Sequence, residues 1–225
     1  IRDNHSFLCY NTFVCLTGFS LRHRTQITGC RSDSLYITKE YYIMLYIMRH
    51  GKTDWNAEHM LQGRTDIPLN EEGRQMAIDA REKYKDLHFD VCYCSPLKRA
   101  RETAELFLEG SNTPIIPDDR LQEISFGEYE GIPSALLNPE CPARKLFKEP
   151  ENYVAMNGSE SLESLFSRSG EFLKEIVQPE LKAGKDILIV AHGGLNCSII
   201  AQYEHTPIAN FWDNLQGNCE LKKLE

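Results

Sequence analysis

Two short apolar runs in this chain each end in a histidine followed by glycine. Met44-Leu45-Tyr46-Ile47-Met48 leads into Arg49-His50-Gly51, and Ile187-Leu188-Ile189-Val190-Ala191 leads into His192-Gly193-Gly194. Runs of this kind read as strands buried on both faces, the pattern of parallel sheets. In open α/β sheets, ligands bind beyond the carboxyl ends of the strands. Two imidazoles delivered there, with arginines near them in sequence, suggest a site for an anion and nucleophilic chemistry on it.

From Met44 onward strand and helix patterns alternate. Asn70 stands where it can cap a helix with Glu71 and Glu72 in its first turn. Met76, Ala77, Ala80 and Tyr84 give that helix an apolar face, and Phe89–Cys94 reads as a second strand closed by Ser95-Pro96. Ala100, Thr103, Ala104, Phe107 and Leu108 mark another helix. Pro114-Ile115-Ile116, with prolines on both sides, suits a sheet edge. Ser161 opens a helix that turns Leu162, Leu165, Phe166, Phe172, Leu173 and Ile176 inward. A further helix starts near Gly194, and Cys219–Leu224 reads as a last strand. The pattern predicts an α/β fold, a three-layer sandwich whose central, mostly parallel sheet is flanked by helices. Residues 120–160 are irregular and rich in Pro, Gly and charge, which predicts a lid over the site.

Residues 1–43 look foreign to this pattern: three phenylalanines lie among Asn and Thr in neither helical nor strand period. No signal-peptide layout is present, because Arg22, His23 and Arg24 follow the apolar part. Two readings stand: a non-native or disordered extension before a natural start at Met44, or a genuine segment packed on the domain. Residues 44–225 form the domain on either reading. They hold twenty basic and thirty acidic residues, a net charge of −10. That balance speaks against broad nucleic-acid binding, yet a few arginines can still make one cleft positive. No apolar stretch approaches the roughly 20 residues needed to cross a bilayer, so no membrane partner is expected. Cys92, Cys94, Cys141, Cys197 and Cys219 are odd in number and contain no Cys-x-x-Cys. They predict reduced, buried thiols in a cytoplasmic protein rather than disulfides or a zinc site.

The specific signal lies in longer strings. Arg49-His50-Gly51-Lys52-Thr53-Asp54-Trp55-Asn56 is followed by Gln62-Gly63-Arg64-Thr65-Asp66 and by Ser95-Pro96-Leu97-Lys98-Arg99-Ala100. Leu121-Gln122-Glu123, Phe126-Gly127-Glu128-Tyr129-Glu130-Gly131 and Val190-Ala191-His192-Gly193-Gly194 complete the set. In this order the motifs strongly resemble the histidine phosphatase superfamily, with its phosphoglycerate-mutase-like fold. The resemblance covers most of residues 44–200.

The resemblance implies that His50 is a nucleophile forming a phosphohistidine, a role neutral imidazole can fill near pH 7. Arg49 and Arg99 would grip the phosphoryl oxygens through forked contacts that lysine cannot copy. His192, as a cation, would donate to the same oxygens, and the helix after Gly193 would add backbone donors. Asn56 matches the family's donor asparagine. Glu123 matches its general acid, a role that needs a raised pKa from partial burial under the lid. Glu128 and Glu130 are competitors for that role. Thr53, Gln62 and Gly63 either contact the phosphate or substrate or brace their loop, and Arg64 faces a second anionic group or solvent. Tyr129 stands where relatives often have Trp, and Ser159 where Gly is frequent.

These residues imply a phosphomonoesterase for a small phosphorylated metabolite, with no metal and no cofactor. A phosphoglycerate mutase is the alternative. The segment beside the acid lacks the Arg-Tyr-Gly-type run of mutases, and permits, without establishing, an α-ribazole-phosphate phosphatase. A non-catalytic phosphate-binding module would not need both His50 and a placed acid. A metal-dependent hydrolase would need a His-x-His or His-x-x-x-His ligand set, which these two histidines lack. Nothing in the sequence sets the oligomeric state.

Overall fold

A computed structural model describes residues 44–224. The extension expected over residues 1–43, with Cys9, Cys15 and Cys30, lies outside the described residues. Five strands form one sheet: β1 (Leu45–Arg49), β2 (Val91–Cys94), β3 (Ile115–Pro117), β4 (Ile187–Ala191) and β5 (Leu221–Leu224). Their spatial order is β3-β2-β4-β1-β5. β1 and β2 each run parallel to β4, β3 runs parallel to β2, and β5 alone is antiparallel, paired with β1. β3, with its prolines, takes an edge as expected.

The two-residue period of the strands sorts their side chains into two cores. Met48, Cys92, Cys94, Leu188 and Val190 pack against Ala77, Ala80, Ala104 and Phe107. Those partners come from α2 (Glu71–Lys83) and α3 (Lys98–Phe107). On the other face, Leu45, Ile47, Val91, Tyr93, Ile187 and Ile189 meet Leu165, Phe172, Leu195, Ile199 and Phe211. Most of those come from α5 (Leu162–Phe172) and α7 (Gly193–Glu204). Phe172 and Phe211 are fully buried, and each burial contributes about 1.5–3 kcal/mol. The result is the expected three-layer α/β sandwich.

The helices start where the caps predict. Asn70 Oδ1 accepts from the Gly73 N–H at 2.8 Å, and Ser161 Oγ accepts from the Ser164 N–H at 3.1 Å. α5 continues through one wider turn, Leu173–Val177, into α6 (Gln178–Lys182). Two short helices complete the set: α1 (Asp54–Ala57), just after β1, and α4 (Ala143–Lys148), within the irregular segment.

That segment, residues 120–160, does not merely cover the domain. Leu121, Ile124, Phe126, Tyr129, Ala135, Cys141, Ala143 and Leu146 belong to the larger core. Tyr129 ties its two halves: its hydroxyl donates to the Glu140 carbonyl at 3.1 Å and accepts from Asn157 Nδ2 at 2.9 Å.

Cys92, Cys94, Cys141, Cys197 and Cys219 are free and buried, as predicted. Burial pushes the Cys94 thiol up to about 11, and those of Cys197 and Cys219 up to about 12. They serve as small apolar side chains. No helix among the described residues is long and apolar enough to cross a membrane.

Candidate active site

The parallel pairing of β1 with β4 brings the two histidines together. Arg49 sits opposite Ala191, and the His50 N–H donates to the Ala191 carbonyl at 2.9 Å. The His50 and His192 rings follow one residue beyond, with centroids 5.2 Å apart and planes tilted by 60°. Gly51 then turns away beneath the start of α2. A Cβ there would lie 2.5 Å from the Gly73 carbonyl oxygen, so backbone packs on backbone and only glycine fits.

His50 is 3% exposed, and its Nδ1 lies 2.6 Å from the Gly51 carbonyl oxygen. A carbonyl only accepts, which assigns the proton to Nδ1 and the lone pair to Nε2. Burial, then the charges of Arg99 and Arg49, hold this ring well below the ordinary histidine range. His192 is fully buried, and neither ring nitrogen has a hydrogen-bond partner within the protein. Burial and the neighbouring Arg99, His50 and Arg49 depress it as well. Both rings are therefore neutral at pH 7 without an anion. The cationic His192 expected from sequence requires a bound anion to offset the two arginines.

Arg99 occupies the first turn of α3, the positive end of the helix, where a cation is unfavourable. Its Nη1 donates to the Thr65 carbonyl at 2.8 Å and its Nη2 to the Gly63 carbonyl at 2.7 Å. Burial pushes it down to about 10, against the pull of Glu123, so it stays charged at pH 7. Arg49 donates through Nη1 to the Gln216 carbonyl at 2.9 Å. In both arginines Nε is buried without a partner in the protein.

Glu123 approaches from the irregular segment. Its carboxylate accepts from the Gly194 and Leu195 N–H groups, at 3.1 and 2.9 Å, and from its neighbour Ile124 at 2.9 Å. Two first-turn donors of α7, expected to serve the phosphate, are thus held by Glu123 instead. A Cβ on Gly194 would lie 3.0 Å from Glu123 Oε1, so glycine lets the carboxylate reach the helix. One on Gly193 would lie 3.6 Å from the Arg49 guanidinium carbon. Glu128 is exposed. Glu130 is occupied: its two oxygens accept from the N–H groups of Arg64, Thr65 and Phe126 and from the Thr65 hydroxyl, at 2.7 to 3.1 Å. It is a loop brace.

The remaining expected site residues divide. Thr53 and Asn56 form a reciprocal cap on α1, with Asn56 Oδ1 accepting from both the Thr53 N–H and its hydroxyl at 3.1 Å. Gly63 has φ of +50°, and a Cβ there would collide with Glu130. Its carbonyl serves Arg99. Gln62 is buried, with Oε1 unpartnered in the protein. Arg64 is engaged by Glu160 at 3.0 Å and by the Glu123 carbonyl at 3.3 Å, rather than facing solvent alone.

The sequence motif match has an independent counterpart. The profile of the histidine phosphatase superfamily (branch 1) matches residues 45–225. The chain belongs to that superfamily. It is an enzyme of the superfamily's phosphohydrolase type. A 2,3-bisphosphoglycerate-dependent phosphoglycerate mutase of Cytophaga hutchinsonii is 35% identical over 153 residues, which span 67% of this chain and 72% of that one. The uncharacterized phosphatase PhoE of Bacillus subtilis is 37% identical over 147 residues, 65% of this chain and 70% of that one. Among solved structures, a mycobacterial glucosyl-3-phosphoglycerate phosphatase complexed with VO3 superposes with a TM-score of 0.71 at 30% identity. The superposition covers 81% of this chain and 92% of that one.

Two residues outside the motifs named above also hold the site. Gln216 is buried; besides its carbonyl on Arg49, its Nε2 donates to the Ile47 carbonyl at 2.8 Å, and its Oε1 accepts from Asn196 at 2.8 Å. Asn218 donates to the His50 carbonyl at 2.7 Å. Both lie in the turn before β5, where a lone polar residue carries no periodic signal. Among the described residues, no group of three or more His, Cys, Asp or Glu is placed to hold a metal.

Proposed function

We propose that this protein is a metal-independent phosphomonoesterase acting on a small phosphorylated metabolite through a phosphohistidine on His50. The observation that carries the reading is the His50 tautomer. With Nδ1–H held by Gly51, the Nε2 lone pair is available beside two guanidinium groups and a second imidazole. Nε2 attacks phosphorus, the bond to the leaving oxygen breaks, and Glu123 gives that oxygen its proton. In the second step Glu123 takes a proton from water, the water oxygen bonds to phosphorus, and the P–N bond breaks. Arg49, Arg99 and the protonated His192 stabilise the charge on the equatorial oxygens. Thr53, Asn56, Gln62, Gly63 and Gly193 shape the pocket around the phosphate.

Residues 44–225 are the functional unit in this reading, working in a reducing compartment such as the cytoplasm, with neither nucleic acid nor membrane as partner. The likeness to the Cytophaga enzyme favours a second reading, phosphoglycerate mutase. Against it, Arg64 is engaged by Glu160 rather than free for a second anionic group.

Acid-quench trapping during turnover of labelled phosphomonoesters tests the mechanism, with mutase activity assayed in parallel. The expected result is an acid-labile, base-stable phosphoenzyme on His50, hydrolysis in chelator, and inhibition by vanadate. Exchange of phosphoryl groups between phosphoglycerates at the hydrolytic rate or faster would establish the mutase instead. Activity that chelator abolishes and one divalent metal restores would overturn metal independence.

A further inference from the structure

Glu123 is held at both ends: its carboxylate at the start of α7, and its backbone by Arg168. Glu160 precedes α5, and Arg168 stands two turns along it. The Arg168 guanidinium has five N–H donors, and all find acceptors. Nε and Nη2 donate to the two oxygens of Glu160, each at 2.9 Å. Nη1 donates to the carbonyls of Arg120 and Gln122, each at 2.6 Å, and Nη2 donates to the carbonyl of Glu123 at 3.1 Å. Glu160 also takes Arg64 at 3.0 Å and the Ser164 hydroxyl at 2.9 Å. The Glu160 side chain is 6% exposed and that of Arg168 14%.

A partly buried arginine spending three bonds on one backbone stretch fixes where that stretch runs. The stretch ends at Glu123, whose side chain then reaches across to the start of α7. The Glu123 backbone is thus set by α5 and its carboxylate by α7. We propose that Glu160 and Arg168 are a positioning couple for Glu123, serving the departure of the leaving group and not the attack of His50. The proposal rests on the reading of Glu123 as the acid. A displacement on the order of 1 Å at a reacting group costs about 10²-fold in rate, which sets the expected scale.

The test compares an alkyl phosphate, whose leaving oxygen needs a proton, with p-nitrophenyl phosphate, whose leaving group departs without much help. Arg168→Lys keeps the charge but loses the fork, and Glu160→Gln keeps the shape. Each is expected to lower kcat on the alkyl ester by about 10²-fold. On the aryl ester the rate of the phosphoenzyme burst should stay within severalfold, while steady-state turnover slows because Glu123 also serves the water of the second step. Added to Glu123→Gln, Arg168→Lys should cost little more on the alkyl ester, since both act on one step. Equal losses in the rate of phosphoenzyme formation from the two esters in both single variants, with unchanged circular dichroism, would assign the couple a structural role and overturn the proposal. Glu123→Gln alone keeps the two ideas apart. A leaving-group split there but not in the couple sinks the couple only, whereas no split there sinks the acid reading first.

Discussion

The two ends of the site differ in how their hydrogen-bonding capacity is spent. Among the described residues, the buried side-chain nitrogens without a partner in the protein are Arg49 Nε, Arg99 Nε and both nitrogens of His192. All four belong to one pocket at the ends of β1 and β4 and the start of α3. At the other end, the carboxylates of Glu123, Glu130 and Glu160 each accept several N–H or O–H groups. An unpaired buried donor costs about 1–3 kcal/mol, so this cluster of cationic and imidazole nitrogens is where an anion gains the most. Satisfied carboxylates mark architecture, except where one of them touches the helix start beside that pocket. Glu123 and Glu130 are both satisfied, and it is the contact with the start of α7 that separates them.

The hardest way to strike the ligand end is His50→Ala. It removes the proposed nucleophile, and turnover should fall by at least about 10³-fold. Circular dichroism and melting should stay close to the parent's. A fully active alanine variant would end the mechanism.

Arg99→Lys comes next. Lysine cannot serve the Gly63 and Thr65 carbonyls while presenting an Nε–H to a ligand. A loss of about 10²-fold in kcat follows the scale for removing one preorganised donor, read with saturating substrate. If lysine supports full turnover, the forked geometry is irrelevant, and charge alone explains the pocket.

How much of this was legible in the sequence also divides along the two ends. His50 and His192 come from strand-terminal motifs, and β1 and β4 from contiguous apolar runs, so strands, helices and pocket histidines read locally. The couplings on the carboxylate side do not. Glu130 meets Thr65, 65 residues away, and Arg168 meets carbonyls up to 48 residues away. No local period reports such partners, which is why Glu130 reads as a competing acid until the donors to its carboxylate are seen. Gln216 and Asn218 are invisible for the same reason. The core contacts of Leu121, Ile124, Phe126 and Leu146 hang on isolated apolar residues within a polar, glycine-rich segment, so that segment reads as a lid alone. The Thr53/Asn56 pair has the three-residue spacing of a reciprocal cap, while the family resemblance assigns the same residues to the phosphate.

Glu130→Gln sharpens the architectural side. One oxygen is replaced by an NH2 group that faces N–H donors it cannot accept from. Stability should drop by about 1–3 kcal/mol, measured by urea unfolding. The loss in kcat should be smaller than for Glu123→Gln on an alkyl phosphate, and should not depend on the leaving group. A leaving-group split with intact stability would reverse the assignment of the two glutamates.

The mildest test is titration of the ligand end. His50 and His192 both have native-state pKa values below the ordinary 6.5, through burial first and then the arginine charges. A histidine depressed in the folded state binds protons more readily when unfolded, so stability rises with pH in that range. Going down from about pH 6.5, each ring should cost up to about 1.4 kcal/mol per pH unit, until its folded-state pKa is reached. Urea midpoints between pH 7 and 5 should fall accordingly, and His50→Ala should flatten part of the slope. Ring-carbon NMR signals of the two histidines should stay at their neutral positions through pH 6 without phosphate. Inorganic phosphate should then move His192 toward its cationic position, because the anion offsets Arg49 and Arg99. If both rings titrate near 6.5 and ignore phosphate, the pocket is wetter than its burial implies. The contrast between unsatisfied and satisfied ends would then lose its physical basis.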